Sequence, residues 1–504
     1  MSTILKSDHS RIMSLESLAF DNRYAKLPAA FFHTTSPKPL KGAHLASFNG
    51  RLGRQLGVTV ADSAQHGFID YFTGAREMAG AAPLAMVYAG HQFGHYVPQL
   101  GDGRAVLLGQ VRDEQQRLWD LHLKGSGPTR FSRGSDGRAV LRSSIREYLC
   151  CEAMFGLGIP TTRALCLIAS RERVVRERIE PGAMLVRMSP SHVRFGSFEY
   201  FYHRDEYDHL RQLGEYLLEE EFLHLRDESS PFLAMFDEVV SSTARLIAQW
   251  QGAGFCHGVM NSDNMSILGL TLDYGPFAFI ETFEKDYICN HSDYQGRYAF
   301  GRQPEMAHFN LLCLATALLP LVDDDKAVAI AQLREVLANY WPRFNAAYLA
   351  IARAKLGLVT DEAGDLELWQ GLLQLMEGQV DYTTFLRELG TIPLSQLAHH
   401  PQREAFADLQ SFDLWIYEYR QRLAREGRSD EARRDAMNGV NPKYILRNAM
   451  AESAIRKAEE EGDYSEIDRL LPLLHDPFSE QAGMDAYARP SPEWAQRIQL
   501  SCSS

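Results

Sequence analysis

The stretch that most constrains this chain runs Phe255-Cys256-His257-Gly258-Val259-Met260-Asn261-Ser262-Asp263-Asn264, with Asp273-Tyr274-Gly275 nine residues beyond Asn264. Asp263, Asn264 and Asp273 all carry side-chain oxygen. Between them, residues 265–272 alternate loosely and contain Gly269, which predicts a tight hairpin folding Asn264 back toward Asp273. Hard oxygen ligands brought together in this way suit Mg²⁺ or Mn²⁺ held jointly with substrate phosphates. The plain alternative is a satisfied loop, because Asn, Asp and Gly are ordinary turn residues.

The spacing is that of a kinase-like site, His-x-Asp-x-x-x-x-Asn followed by Asp-Phe-Gly. Laid on His257, the pattern places Asn264 and Asp273 at metal-ligand positions. Its catalytic-base position falls on Val259, which accepts no proton, and Asp263 is the only carboxylate nearby. The motif keeps its metal ligands and has lost or moved its base.

Composition narrows the partners. The chain has 504 residues, 45% hydrophobic and 23% charged, which is globular usage with room for several domains. A net charge of -13 excludes bulk attraction to nucleic acid or anionic membrane, so a phosphate site must be a local basic pocket. The longest apolar run, Phe309 to Val322, is broken by Asn310 and Pro320 and predicts a core helix, not a membrane span. Residues 1–19 have no apolar signal core, so a cytoplasmic protein is expected. The seven cysteines form no Cys-x-x-Cys pair, which argues against a zinc site and against a secreted disulfide framework. Cys502, near the end, is expected to be exposed.

Residues 1–85 read as an extended N-terminal lead-in with turns. Tyr88-Ala-Gly-His-Gln-Phe-Gly-His95 follows, then Gln99-Leu-Gly-Asp-Gly-Arg104, where Gly101, Gly103 and Arg104 either meet a phosphate or simply make a turn. Ala105 to Val111 and Arg117 to Lys124 predict strands; Asp120, His122 and Lys124 alternate with apolar residues. A strand lysine beside Gly125-Ser-Gly127 is what a kinase-like nucleotide site uses, although most lysines are solvated. A helix is predicted from about Arg138 to Phe155, carrying Glu147, a candidate ion-pair partner for Lys124. Strands at Thr161 to Ala169 and Ala183 to Met188 complete a small sheet. Arg187 and Arg194 then either clamp phosphate or form a structural ion pair. From about Glu199 the pattern is helical: Tyr207 to Glu219, Pro231 to Gln251, Phe309 to Leu319, Lys326 to Lys355, and several segments beyond 360. The charged stretch Arg420 to Arg434 mixes acids with bases and predicts a solvated surface.

Taken in order, these motifs closely resemble the selenoprotein O family. The resemblance rests on Gln99-Leu-Gly-Asp-Gly-Arg, His122-Leu-Lys-Gly-Ser-Gly, the run from Asp136-Gly-Arg to Arg146-Glu147, His257 to Ile267, Asn290-His-Ser-Asp, Asn441-Pro-Lys-Tyr-Ile-Leu-Arg-Asn448 and the Ser501-Cys-Ser-Ser end. It covers roughly residue 18 to the end. The family is similar to protein kinases in fold, yet transfers AMP, with ATP inverted in the cleft. The resemblance therefore implies an enzyme moving AMP from ATP to Ser, Thr or Tyr hydroxyls of protein substrates, with Mg²⁺ or Mn²⁺. It implies Asp263 as proton acceptor and Asn264 and Asp273 as metal ligands. It implies ATP contacts from Gly101, Gly103, Arg104, Lys124, Asp136, Gly137, Arg187, Arg194 and Asp273, with Glu147 pairing Lys124. Some members carry selenocysteine near the tail, where this chain has Cys502; a redox pair between Cys289 and Cys502 is implied. Two departures stand out. The loop Pro128-Thr-Arg-Phe-Ser-Arg-Gly-Ser135 lacks the usual Pro at position 130 and Gly at 135, and Phe309 replaces a usual Trp.

The expected fold is α+β: a two-lobed protein-kinase-like body with an N-terminal extension and a C-terminal helical region. The expected divisions are 1–85 extension, 86–195 N-lobe, 196–360 C-lobe with the catalytic and metal motifs, and 361–504 helical region with the cysteine-containing tail. Two rivals remain, a kinase transferring the γ-phosphate and a catalytically inactive ATP-binding pseudokinase. Val259 argues against the first; intact Lys124, Glu147, Asn264 and Asp273 argue against the second.

Overall fold

The computed structural model describes residues 13–501. Among the described residues, nine strands form one antiparallel sheet. Seven lie in the order Phe32–Thr34, Leu84–Met86, Ala105–Arg112, Leu118–Lys124, Ile179–Ser189, Arg163–Val175, His44–Phe48. Ala19–Phe20 pairs with Ala105–Arg112, and Ala139–Val140 with Ile179–Ser189. The lead-in is thus not merely extended chain: its strands sit at both edges of the sheet.

Side chains on successive residues of a strand point to opposite faces. Leu121, Leu123, Met184, Val186 and Met188 pack on one face with Phe68 and Phe72 of the Phe68–Thr73 helix. Leu185 and Ala183 pack on the other, against Leu141, Ile145 and Leu149 of the Leu141–Gly156 helix. His122, Lys124 and Arg187 share the alternation of this second face, which directs them into the interior between sheet and helices. With both faces covered, the central strands are largely apolar, and the polar residues Gln110, Asp120 and Ser189 on them are buried, as these three are.

The Leu141–Gly156 helix starts later than its predicted start at Arg138, because Ala139–Val140 is taken as a strand by Gly182 and Ala183. The Pro231–Ala253 helix begins with Pro at its first turn and ends at Gly254, whose φ of 68° permits the reversal. It leads into Phe255–Cys256, which pairs antiparallel with Ala278–Phe279. The predicted single helix from Lys326 to Lys355 is two, Lys326–Ala338 and Tyr340–Lys355. The Gln303–Val322 helix, with the turn before it, is long and apolar enough to cross a bilayer, but half of its apolar window is buried, much of it against Pro231–Ala253 and Lys326–Ala338. A further core joins the helices beyond 360 around Trp369, Phe385, Phe412 and Tyr419. Within the charged stretch, Arg422 and Arg433 are buried, not solvated: Arg422 pairs with Asp365 and Glu426.

Candidate active site

Between sheet and helices lies a cleft of about 550 Å³, walled by Gly101, Gly103, Arg104, Lys124, Arg187, Arg194, Val259, Asp263, Asn264 and Asp273, among others. The Phe255–Cys256 and Ala278–Phe279 pair closes a long loop whose interior carries the opening motif. The predicted hairpin of 265–272 does not form. Ser266 instead bridges Arg194, and Thr271 bridges Thr161, so the segment pairs with its neighbours; inside it the Gly269 N–H donates to the Ser266 carbonyl at 3.2 Å, a tight turn without a strand ladder. His257 reinforces this arrangement through Nε2 and the Leu272 carbonyl, 3.0 Å apart. Asn264 and Asp273 still reach one cleft, by tertiary pairing.

Asp273 holds a φ of 56°, unusual for a residue with a Cβ. Its two carboxylate oxygens take separate guanidinium groups: Arg187 donates to Oδ1 at 2.6 Å and Arg194 to Oδ2 at 2.5 Å. Burial opposes ionisation of Asp273, but Arg194, Arg187 and Lys124 outweigh it and hold the carboxyl well below its ordinary range. Arg194 also donates to the Asp263 carbonyl at 2.8 Å and lies over the Tyr88 ring. Arg187 donates to Glu147 at 3.1 Å, and Glu147 accepts the Lys124 ammonium as well. His122 Nδ1 receives a further Arg187 N–H at 2.7 Å. Burial pushes the His122 imidazole down to about 3, so it is neutral and can present a lone pair to Arg187 while its Nε2–H faces Asp102 at 3.1 Å. The Arg187 Nε is buried and has no partner among the described residues.

Asp263 is buried, in a single 3-10 turn, Ser262–Asn264. Gln92 donates to its Oδ2 at 3.1 Å; Oδ1 has no partner among the described residues. Burial, only partly offset by Arg194, pushes its carboxyl up to about 7. The Asn264 amide donates to the Val259 carbonyl at 2.9 Å, which fixes which way the amide faces and leaves its oxygen as the uncommitted end. Asn264 and Asp273 are hard donors of the kind Mg²⁺ and Mn²⁺ accept.

Each of the glycines at 101 and 103 allows close approach. A Cβ on Gly101 would lie 2.5 Å from the Phe131 ring, and its φ is 70°. The sequence alone gives no task to Tyr88 or Gln92 within the Tyr88 to His95 stretch, nor to His122, Asp102 or Phe131. The alternation of Asp120, His122 and Lys124 was a usable signal for His122; nothing local marks Gln92, whose partner lies 171 positions away.

The family model for Protein adenylyltransferase SelO matches residues 14–475. The chain belongs to this family. Curated relatives named protein nucleotidyltransferase YdiU are similar over nearly the whole length. That of Myxococcus xanthus (strain DK1622) is 52% identical over 493 residues, covering 97% of this chain and 100% of the relative. That of Thioalkalivibrio sulfidiphilus (strain HL-EbGR7) is 50% identical over 496 residues, with 97% and 99% covered. Not every residue expected from the SelO resemblance lines the cleft. Asp136 is exposed and forks with Arg176, two contacts of 2.8 Å, while the Gly137 carbonyl accepts from Gly127 at 3.0 Å. Both shape the loop beside the cleft instead of walling it. Within the 128–135 loop, Thr129 and Ser132 bond one another and the Asp102 and Gly103 carbonyls. Cys289 is buried, its Sγ 3.5 Å from Cys256 Sγ; Cys502 lies outside the described residues.

Proposed function

We propose that this protein is a protein adenylyltransferase of kinase-like architecture, transferring AMP from ATP to Ser, Thr or Tyr hydroxyls of proteins. The observation that carries this is a buried carboxylate near neutrality, Asp263, in the same cleft as two buried arginines anchored on Asp273.

In the proposed reaction Arg187, Arg194 and Lys124 hold the β- and γ-phosphates, spreading their charge over buried cations in a water-poor site. Arg104 at the exposed rim adds a further cation. The substrate hydroxyl oxygen attacks the α-phosphorus, the bond from that phosphorus to the β-bridging oxygen breaks, and pyrophosphate leaves. Asp263 takes the hydroxyl proton; a carboxylate near pH 7 is matched to that task. Asn264 and Asp273 would hold Mg²⁺ or Mn²⁺, which supplies charge neutralisation at the phosphates. Protein substrates, the choice of metal and cytoplasmic residence belong to the same proposal, as does a redox latch. The latch joins Cys289 to Cys502; in support, the Leu500 carbonyl accepts from both the backbone N–H and Nδ1 of His291, at 3.0 and 2.7 Å, bringing the tail to the Cys289 segment.

The test is isotopic. ATP labelled at the α-phosphate is expected to label protein with release of pyrophosphate, and Asp263→Ala is expected to abolish both. Label arriving only from the γ-position identifies a kinase instead; tight ATP binding without any label identifies an inactive module. Mapping of oxidised peptides tests the latch: a Cys289–Cys502 cross-link supports it, and its absence under oxidation removes it.

A further inference from the structure

Beside the catalytic turn, three donors of different chemical softness converge from three elements. His91 lies on the Gly90–Gln92 strand, Glu199 on the Phe195–Tyr202 helix and Cys313 on the Gln303–Val322 helix. One ligand atom from each lies within 4.8 Å of the other two. Glu199 is 0% exposed. Its Oε2 is bonded to His91 Nδ1, and its Oε1 is buried with no partner among the described residues. A buried carboxylate oxygen without a donor or cation is costly, and such positions are normally compensated. The orphan oxygen, the imidazole and the thiol together ask for one shared cation.

We propose that His91, Glu199 and Cys313 form a site for a divalent transition metal of the zinc class, separate from the Asn264–Asp273 set. Mixed nitrogen, sulfur and oxygen donors favour Zn²⁺ or Co²⁺, whereas the all-oxygen set at Asn264 and Asp273 favours Mg²⁺ or Mn²⁺. On binding, the His91 proton moves from Nδ1 to Nε2, freeing the Nδ1 lone pair. The Cys313 thiol gives its proton to solvent, and the metal joins Nδ1, Sγ and a Glu199 oxygen. Metal bonds of about 2.0–2.3 Å place tetrahedral ligands roughly 3.3–3.8 Å apart, so the His91–Glu199 hydrogen bond opens and Cys313 closes in. Three protein ligands leave a fourth position open. His91 and Cys313 are half-buried, which gives an ion its way in. The site also touches the catalytic turn: the His91 N–H donates to Ser262 Oγ at 2.6 Å, and the next residue, Gln92, holds Asp263.

The experiment is a Co²⁺ titration of the full-length protein, following the thiolate-to-cobalt charge-transfer band. A band saturating near one equivalent, bleached by Zn²⁺ and not by excess Mg²⁺, is expected for the wild type. Cys313→Ser is expected to lose the band, and Glu199→Gln to weaken affinity by about tenfold or more. Cobalt at the Asn264–Asp273 set has no sulfur ligand and contributes nothing to this band. Absence of the band in the wild type, or its persistence in Cys313→Ser, overturns the proposal. If Cys313→Ser does not fold, Glu199→Gln and His91→Asn, checked by circular dichroism, decide it: undiminished affinity in both is equally fatal.

Discussion

Asp263 shows how one side chain carries opposing demands on stability and chemistry. Its carboxyl ionises near 7 in the fold and near 3.8 as a free side chain. Below 3.8 both states hold the proton, so the residue costs nothing. Between 3.8 and about 7 the folded state binds the proton more tightly, and stability falls as pH rises through that window. Asp263→Asn is therefore expected to melt higher than the wild type at pH 8 and equally at pH 4; an equal gain at both values would contradict the burial argument. The same substitution should lower turnover by about 10²–10⁴-fold and remove an ascending limb near pH 7 from the rate profile. Asp273 behaves in the opposite sense. Because it neutralises two buried arginines, Asp273→Ala leaves Arg194 without its carboxylate and Arg187 with Glu147 alone, as well as removing a ligand. Asp273→Asn is the cleaner test, since an amide keeps the size and one acceptor. Metal-dependent ATP affinity, measured by calorimetry, is expected to vanish in it; affinity equal to the wild type would remove Asp273 from the metal set.

At the scale of elements, the loop Leu100 to Arg104 is set by backbone geometry. Gly101 sits in the left-handed region, under the Phe131 ring. Gly101→Ala incurs both the positive-φ cost, about 1–2 kcal/mol, and a clash with that ring. A raised KM for ATP with a smaller change in turnover is the expected result in steady-state kinetics. Loss of turnover at unchanged KM would mean that the loop does not contact nucleotide. The strands at this site were legible because alternation is a local signal: Leu121 and Leu123 face one core, while Lys124 faces the cleft and His122 the buried interior on the same side. The predicted hairpin at 265–272 failed because alternation records that a segment is extended and says nothing of its partner. Ser266 and Thr271 found theirs in Arg194 and Thr161.

Across the whole molecule, Arg447 ties the C-terminal helices to the segment that follows Asp273. It is buried and donates to Glu281 at 3.0 Å and to Asp381 at 2.6 and 3.0 Å, beside the Thr282–Asp381 bridge. Glu281 also accepts from the Ser491 N–H at 2.9 Å, so one cluster gathers four distant stretches. Removing a partner from a fully buried pair costs about 3–5 kcal/mol; Asp381 and Glu281 are partly exposed, so water offsets part of that here. Arg447→Ala is expected to lower the urea midpoint accordingly and to open the region beyond 360 to limited proteolysis. A midpoint unchanged from the wild type would show that the cluster is dispensable.

The amino-acid order alone determined the chemistry available. The spacing from His257 to Asp273, the displaced carboxylate at 263, the strand lysine and the helix glutamate are local facts, and the motif order placed the chain in its family. Tertiary structure decided which charges meet. Arg187 and Arg194 read equally as a phosphate clamp or a structural ion pair; in the fold they share Asp273, and Arg187 also touches Glu147 and His122. Asp136 and Gly137 sit in the same motif as Glu147, yet fall outside the cleft wall. Arg422, in a stretch that reads as solvated, is buried against Asp365. The physical reason is common to all of them: a residue type and its spacing fix what a side chain can do, while burial and the sign of its neighbours depend on elements that are remote in the chain and adjacent only after folding.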